Sequence, residues 1–241
     1  MSIYPLDQPA GEFLSIPDPP RPAREIDLVD SFGGFAAGPP AGPMPRPGPV
    51  RPMHTSLAAV DICAFGSRHY EDEQSHLRDK MYEYLADAFD MTRLPWSESY
   101  REDRGDGALI ILPPKVLADT LLDPLAHHLN VLLRRSNRFA NDATRLRLRV
   151  AVHIGDVHRD ANGVFGHAVN HLFRLLEASK FKKLLAASDA DLGLIASDRL
   201  YQATTYRAGL IDADAYQSIN VRCKETRARG WVWLPPRSTG T

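Results

Sequence analysis

Residues 145–178, RLRLRVAVHIGDVHRDANGVFGHAVNHLFRLLEA, constrain the fold more than any other stretch. Leu146, Leu148, Val150, Val152 and Ile154 alternate with Arg147, Arg149 and Ala151. That period of two predicts a strand with one apolar face. A polar, Gly-containing connection from Gly155 to Gly166 follows. Val169, Leu172, Phe173, Leu176 and Ala178 then recur at helical spacing, which predicts an amphipathic helix. Asn170 and Arg174 stand four apart on that helix and so project from one face, a turn from each other.

The same period rules read the rest of the chain. Leu57 to Phe65 is an apolar run that predicts a buried strand. Leu77, Met81, Tyr84, Leu85 and Ala88 predict a helix over 70–90. Leu109 to Leu112 predicts a second strand, ended by Pro113-Pro114. Lys115 to Arg138 reads as a long helix in which Pro124 starts the main part. A helix near 180–187, a strand near 192–196, a helix near 197–203 and a terminal hairpin complete the chain. The order strand–helix–strand–strand–helix–strand predicts an α+β fold, a ferredoxin-like βαββαβ core with an antiparallel sheet covered on one face by helices. Such a fold hosts many functions, so function must be read from the site.

Thirteen of the 19 prolines lie in residues 1–55. Proline removes backbone donors and fixes φ, so this segment is expected to be disordered, ahead of a folded domain over 56–235 and a tail over 236–241. A net charge of −1 gives no electrostatic case for nucleic acid. No apolar run approaches a membrane span, and the start of the chain lacks a secretion signal. Cys63 and Cys223 lie in apolar, strand-like contexts and read as free thiols of a cytoplasmic protein.

Three further segments join the first in a pattern that closely resembles the class III nucleotidyl cyclases. Phe165-Gly166-x-x-Val169-Asn170-x-x-x-Arg174-Leu175 matches the family's Asn/Arg helix. Asp61-Ile62-Cys63-Ala64-Phe65 resembles its first metal-binding segment, and Arg104-Gly105-Asp106-Gly107 its second, a Gly-Asp at a hairpin. Val221-Arg222-Cys223-Lys224-Glu225, followed by Trp231-Val232-Trp233-Leu234, resembles its last hairpin. The resemblance implies a cyclase converting a nucleoside triphosphate to its 3′,5′-cyclic monophosphate and pyrophosphate. Asp61, the carbonyl of Ile62 and Asp106 would hold two divalent ions, Mn²⁺ or Mg²⁺, which prefer oxygen ligands together with substrate phosphates. Arg174 would stabilise the transition-state phosphate and Asn170 orient the ribose. The loop from Cys63 to Gly66, with Phe65, would present N–H groups to phosphate, and Lys224 would contact the triphosphate. Two departures stand out: Ala64 occupies a place usually held by Gly, and Glu225 replaces the usual Gly after the lysine. The resemblance also implies a homodimer with composite sites.

The family's two base-reading positions fall on Glu102 and Gly163. Glu102 is guanylate-like, whereas Gly163 has no side chain to read with, which leaves room for Tyr100 as a reader or for a pyrimidine substrate. A small cyclase with unusual base readers resembles the pyrimidine cyclases of Pycsar anti-phage systems, which implies UTP or CTP as substrate and a separate effector activated by the cyclic nucleotide. A purine cyclase and a non-catalytic nucleotide-binding module remain alternatives. His167 and His171 have zinc-compatible spacing but no third ligand, His153 reads as a core histidine, and Arg104-Gly105-Asp106 as an adhesion motif is a coincidence of spelling.

Overall fold

The structure is a computed structural model, and it describes residues 52–68, 70–205 and 211–236. The Pro-rich expectation for residues 1–51 and the tail beyond 236 lie outside the described residues. Residues 53–55, placed by sequence in the Pro-rich segment, are the first three of a strand.

That strand, β1 (Met53–Ile62), leads into a helix, α1 (Glu71–Met91), then a hairpin of β2 (Tyr100–Asp103) and β3 (Gly107–Ile111). A helix, α2 (Leu125–Asn137), and a long strand, β4 (Leu148–Asp160), complete the βαββαβ unit. β1 pairs antiparallel with both β3 and β4, and β3 with β2, giving the ferredoxin-like order β2-β3-β1-β4. The chain continues through β5 (Gly163–Phe165), α3 (His167–Leu176), α4 (Ser179–Ala186), β6 (Leu192–Ser197), α5 (Asp198–Thr205) and the hairpin β7 (Tyr216–Cys223) to β8 (Thr226–Trp233). β6 joins β4 in parallel, and β8 and β7 extend the sheet beyond it. No helix among the described residues is long and apolar enough to cross a membrane.

Both faces of the sheet are covered, where the sequence suggested one. Ala58, Val60 and Ile62 of β1 face a core with Leu77, Met81, Leu85 and Phe89 of α1 and Leu125, Leu129 and Leu133 of α2. Leu57 and Ala59 face the other way, onto Val169, Leu172, Leu175 and Leu176 of α3 and Phe181 of α4. The second face carries Arg147, Arg149 and Ala151, which alternate in sequence with the apolar side of the strand. Arg147 donates to the carbonyls of Leu185, Ser188 and Ala190, so its stem packs while its head closes the α4–β6 turn.

Two element boundaries differ for local reasons. The helix expected over 115–138 is a 3₁₀ turn at Ala118–Leu121 followed by α2, because Pro124 lacks an N–H and cannot continue a helix through itself. The connection expected from Gly155 to Gly166 is instead the end of β4 folded back on β5, with Asp160 capping the turn through the Asn162 N–H at 2.8 Å.

Candidate active site

β1 and β3 bring the two predicted carboxylates to one end of the sheet. Asp61 pairs in register with Gly107, and the Ile62 N–H donates to the Asp106 carbonyl at 2.8 Å. Residues 45 apart in sequence thus become neighbours through one ladder. Gly107 is required there: a Cβ would lie 2.1 Å from the Val60 carbonyl oxygen. Asp106 is exposed and Asp61 is buried. Burial pushes the Asp61 carboxyl above its ordinary range, Arg149 pulls it back, and the nearby Asp106 raises it again.

Arg149, on the neighbouring strand β4, was not singled out as a site residue. Its terminal nitrogen donates to Asp61 Oδ2 at 2.5 Å, with both side chains nearly enclosed. The other carboxylate oxygen, Asp61 Oδ1, is buried and has no hydrogen-bond partner. An unpartnered buried carboxylate oxygen is costly unless something cationic completes it. Together with Asp106 it fits a hard divalent ion that takes one or two protein carboxylates and draws its remaining ligands from phosphate and water. Among the described residues no group of three or more His, Cys, Asp and Glu side chains gathers into a protein-only cage.

The loop after β1 departs from expectation in one respect. The Cys63 N–H is taken by the Arg147 carbonyl at 2.8 Å, which leaves the N–H groups of Ala64, Phe65 and Gly66 as the donors of any phosphate cradle. Ala64 adopts φ 56°, ψ 29°, a left-handed conformation natural to Gly and strained for Ala. The Phe65 ring packs half-buried against the first core, so its side chain supports the loop.

α3 presents the second set. Asn170 is exposed and lines a broad cleft of about 1190 Å³ with Arg104, His153, Phe165, His171 and Phe173. Neither Asp61 nor Asp106 lines that cleft. Arg174, one turn on, faces Glu225 at 3.4 Å. Glu225 and Lys224 form the two-residue turn between β7 and β8, so the turn brings Lys224 to the same end of α3.

The base-reading positions also meet. Tyr100 donates to Glu102 Oε2 at 2.9 Å, and Arg104 pairs with Glu102 Oε1 at 2.9 Å. A Cβ on Gly163 would sit 3.7 Å from the Tyr100 hydroxyl and 3.9 Å from Glu102 Oε2. The Arg159 guanidinium lies over the Tyr100 ring. Residues on β2 and β5, 61 positions apart, therefore form one polar corner with the phenol standing where a side chain at 163 would reach.

His153 and His171 pack together, while His167 is exposed on the cleft wall. His153 is buried against Ser197, with Nδ1 2.7 Å from Oγ, and its ring lies 4.8 Å from that of His171. Burial holds His153 at a pKa of about 3 and lowers His171 as well. Cys63 and Cys223 are free thiols.

The fold is an α+β domain with the architecture of adenylate and guanylate cyclase catalytic domains. Three solved structures carry that statement. An adenylate/guanylate cyclase/hydrolase from Silicibacter pomeroyi superposes with a TM-score of 0.58 at 19% identity, covering 78% of this chain and 99% of the other. The guanylyl cyclase Cya2 gives 0.55 at 15%, over 76% and 92%. The guanylate cyclase domain of RhGC from Catenaria anguillulae, in complex with GTP, gives 0.51 at 18%, over 77% and 97%. No protein-family profile and no curated protein matches the chain.

Proposed function

We propose that the protein is a nucleotide cyclase that converts a nucleoside triphosphate, UTP or CTP, to its 3′,5′-cyclic monophosphate and pyrophosphate. The observation that carries this reading is the unpartnered buried Oδ1 of Asp61 beside Asp106, on a cyclase fold whose α3 carries Asn170 and Arg174. Asp61, Asp106 and the Ile62 carbonyl would hold two Mn²⁺ or Mg²⁺ ions. Bound there, the ions would lower the pKa of the ribose 3′-hydroxyl and neutralise the triphosphate.

The protein's own groups do the rest. Lys224 meets the triphosphate, and the N–H groups of Ala64 to Gly66 receive its oxygens. Asn170 holds the ribose so that O3′ stands in line with the α-phosphorus. O3′ bonds to that phosphorus as its proton passes to water and the bond to pyrophosphate breaks, and Arg174 meets the charge that accumulates on the α-phosphate oxygens. Glu225, now beside Arg174, yields it to the phosphate.

The site is built across two copies of the chain. The cleft bearing Asn170 is larger than the ~300–1000 Å³ of an enclosed small-molecule pocket, and Phe165 on its wall is 48% exposed. A second copy would cover it and bring its own Asp61 and Asp106 to this copy's Arg174. Asp61→Ala and Arg174→Ala proteins, each inactive alone, should regain about a quarter of wild-type turnover after mixing and subunit exchange, since half the dimers then carry one intact site. A mixture as inactive as its components would overturn the composite site.

The pyrimidine preference rests on the corner at Tyr100, Glu102 and Gly163. Both Glu102 oxygens are already engaged, and the phenol narrows the space beside Gly163. Glu102 would turn from Arg104 to accept from the N3–H of uracil or the N4 amino group of cytosine, beside the Tyr100 hydroxyl. Glu102 by itself also suits guanine, so a guanylate cyclase is the second reading. A pyrimidine product would act as a signal to a separate effector in anti-phage defence.

A further inference from the structure

We infer that Asp103 is a positioning residue for the proposed metal site: it clamps the β2–β3 turn to α1 and so holds Asp106 beside Asp61. The inference rests on the nucleotide cyclase reading and deepens it. Asp61 rides on a strand that is paired on both sides. Asp106 has no such support. It sits with Gly105 in the two-residue turn that the Arg104 N–H closes onto the Gly107 carbonyl at 2.9 Å. The turn follows β2, the four-residue strand at the edge of the sheet. One tether, from the Ile62 N–H to the Asp106 carbonyl, ties it to β1.

A second tether comes from α1. Arg78 and Tyr82 stand four apart and project from one face of that helix. The Arg78 guanidinium meets both Asp103 oxygens, Nη2 to Oδ2 at 2.6 Å and Nη1 to Oδ1 at 3.3 Å. The Tyr82 hydroxyl donates to Oδ2 at 2.7 Å, and the Gly105 N–H to Oδ1 at 2.8 Å. Arg78 Nη1 also donates to the Gly105 carbonyl. Gly105, directly before Asp106, is thus held through its N–H and its carbonyl at φ 82°. These donors, Tyr82 foremost, keep the Asp103 carboxyl below its ordinary range against the opposing effect of burial.

An ion pair whose side chains are 31% and 47% exposed adds little to global stability. Its consequence is local. Without Asp103 the turn would sample conformations that carry Asp106 away from Asp61, and binding of an ion would then also have to order the turn. Asp103 therefore acts on metal affinity through Asp106 and touches neither ion nor substrate.

The test is Mn²⁺ binding to nucleotide-free protein, followed by the electron paramagnetic resonance signal of unbound Mn²⁺. Asp103→Ala should weaken binding at least about tenfold, and the gentler Tyr82→Phe about threefold, in proteins that circular dichroism shows to be folded. Tyr84→Phe removes a different bond of α1, to Ser136 of α2, and should stay within about twofold of wild type. In turnover of the triphosphate, Asp103→Ala should raise the Mn²⁺ concentration for half-maximal rate by the same factor, with kcat within about threefold of wild type at saturating Mn²⁺. A rate lowered at every Mn²⁺ concentration, with that midpoint unmoved, would mark a merely structural role and overturn the inference. Asp103→Ala and Tyr82→Phe both binding Mn²⁺ within about twofold of wild type, while Asp106→Asn abolishes binding, would also overturn it and leave the cyclase reading intact. Asp106→Asn binding as wild type does would overturn the metal site, and the inference with it.

Discussion

Gly107→Ala is the sharpest structural perturbation of the candidate site, because the obstacle is backbone. The new Cβ would meet the Val60 carbonyl oxygen at 2.1 Å and the Asp61 Cα at 3.1 Å. Ordinary carbon–oxygen contact is about 3.3 Å, so β3 must move roughly 1 Å from β1. The move opens the Asp61–Gly107 register and the bond from the Ile62 N–H to the Asp106 carbonyl. Losing a ladder bond costs about 1 kcal/mol and overpacking strain about 1–3 kcal/mol, about 2–4 kcal/mol together. For a domain of this size each kcal/mol lowers Tm by about 2–4 °C, so 3 kcal/mol corresponds to about 6–12 °C. Thermal unfolding followed by circular dichroism reads the shift. Gly66→Ala is the control, since nothing lies within 4 Å of a Cβ there. A Gly107→Ala protein melting within about 2 °C of wild type would refute the claim that this close approach sets the spacing of the two carboxylates.

Other expectations follow from single side chains. Arg174→Ala should lower kcat at least about 100-fold with a smaller change in KM; a change in KM alone would contradict its place at the transition state. His153 stays neutral in the fold down to about pH 3, against an ordinary 6.5. The unfolded chain therefore binds an extra proton between those values, and stability falls as pH drops below 6.5. Urea unfolding should show about 1–2 kcal/mol less stability at pH 5 than at pH 6.5 from this residue, a loss that His153→Gln removes. An unaltered pH slope in His153→Gln would contradict the buried neutral imidazole. Tyr100→Phe frees Glu102 Oε2 and should shift the ratio of pyrimidine to purine turnover; an unchanged ratio would remove the phenol from base selection.

Much of the fold was legible because its signals are local. The apolar spacing of Leu77 to Ala88 and the alternation of Leu146 to Ile154 each name an element without reference to any other, and the buried faces follow. The second covered face was hidden because it depends on where two arginines put their heads. On a strand, Arg147 and Arg149 look like water-facing residues; in the fold one caps carbonyls and the other pairs with Asp61. The same concealment kept Arg149 out of the predicted site. Its partner is 88 residues away, and only the β1–β4 register, which sets Asp61 opposite Arg149, makes the pair visible. β5 escaped because a three-residue strand carries no period, and its pairing with β4 turns on Gly163 at φ 127°. The special place of Ala64 was legible as a departure from a motif, while its left-handed backbone needed coordinates.

The central claim is cyclisation, and its most direct measurement is of product. Purified protein is incubated with Mn²⁺ and ATP, GTP, CTP or UTP separately, and the products are resolved by mass spectrometry. The account predicts cyclic UMP or cyclic CMP with an equal amount of pyrophosphate, and none from Asp61→Ala. Failure to form a cyclic nucleotide from any of the four, under conditions where the triphosphate binds, would contradict it.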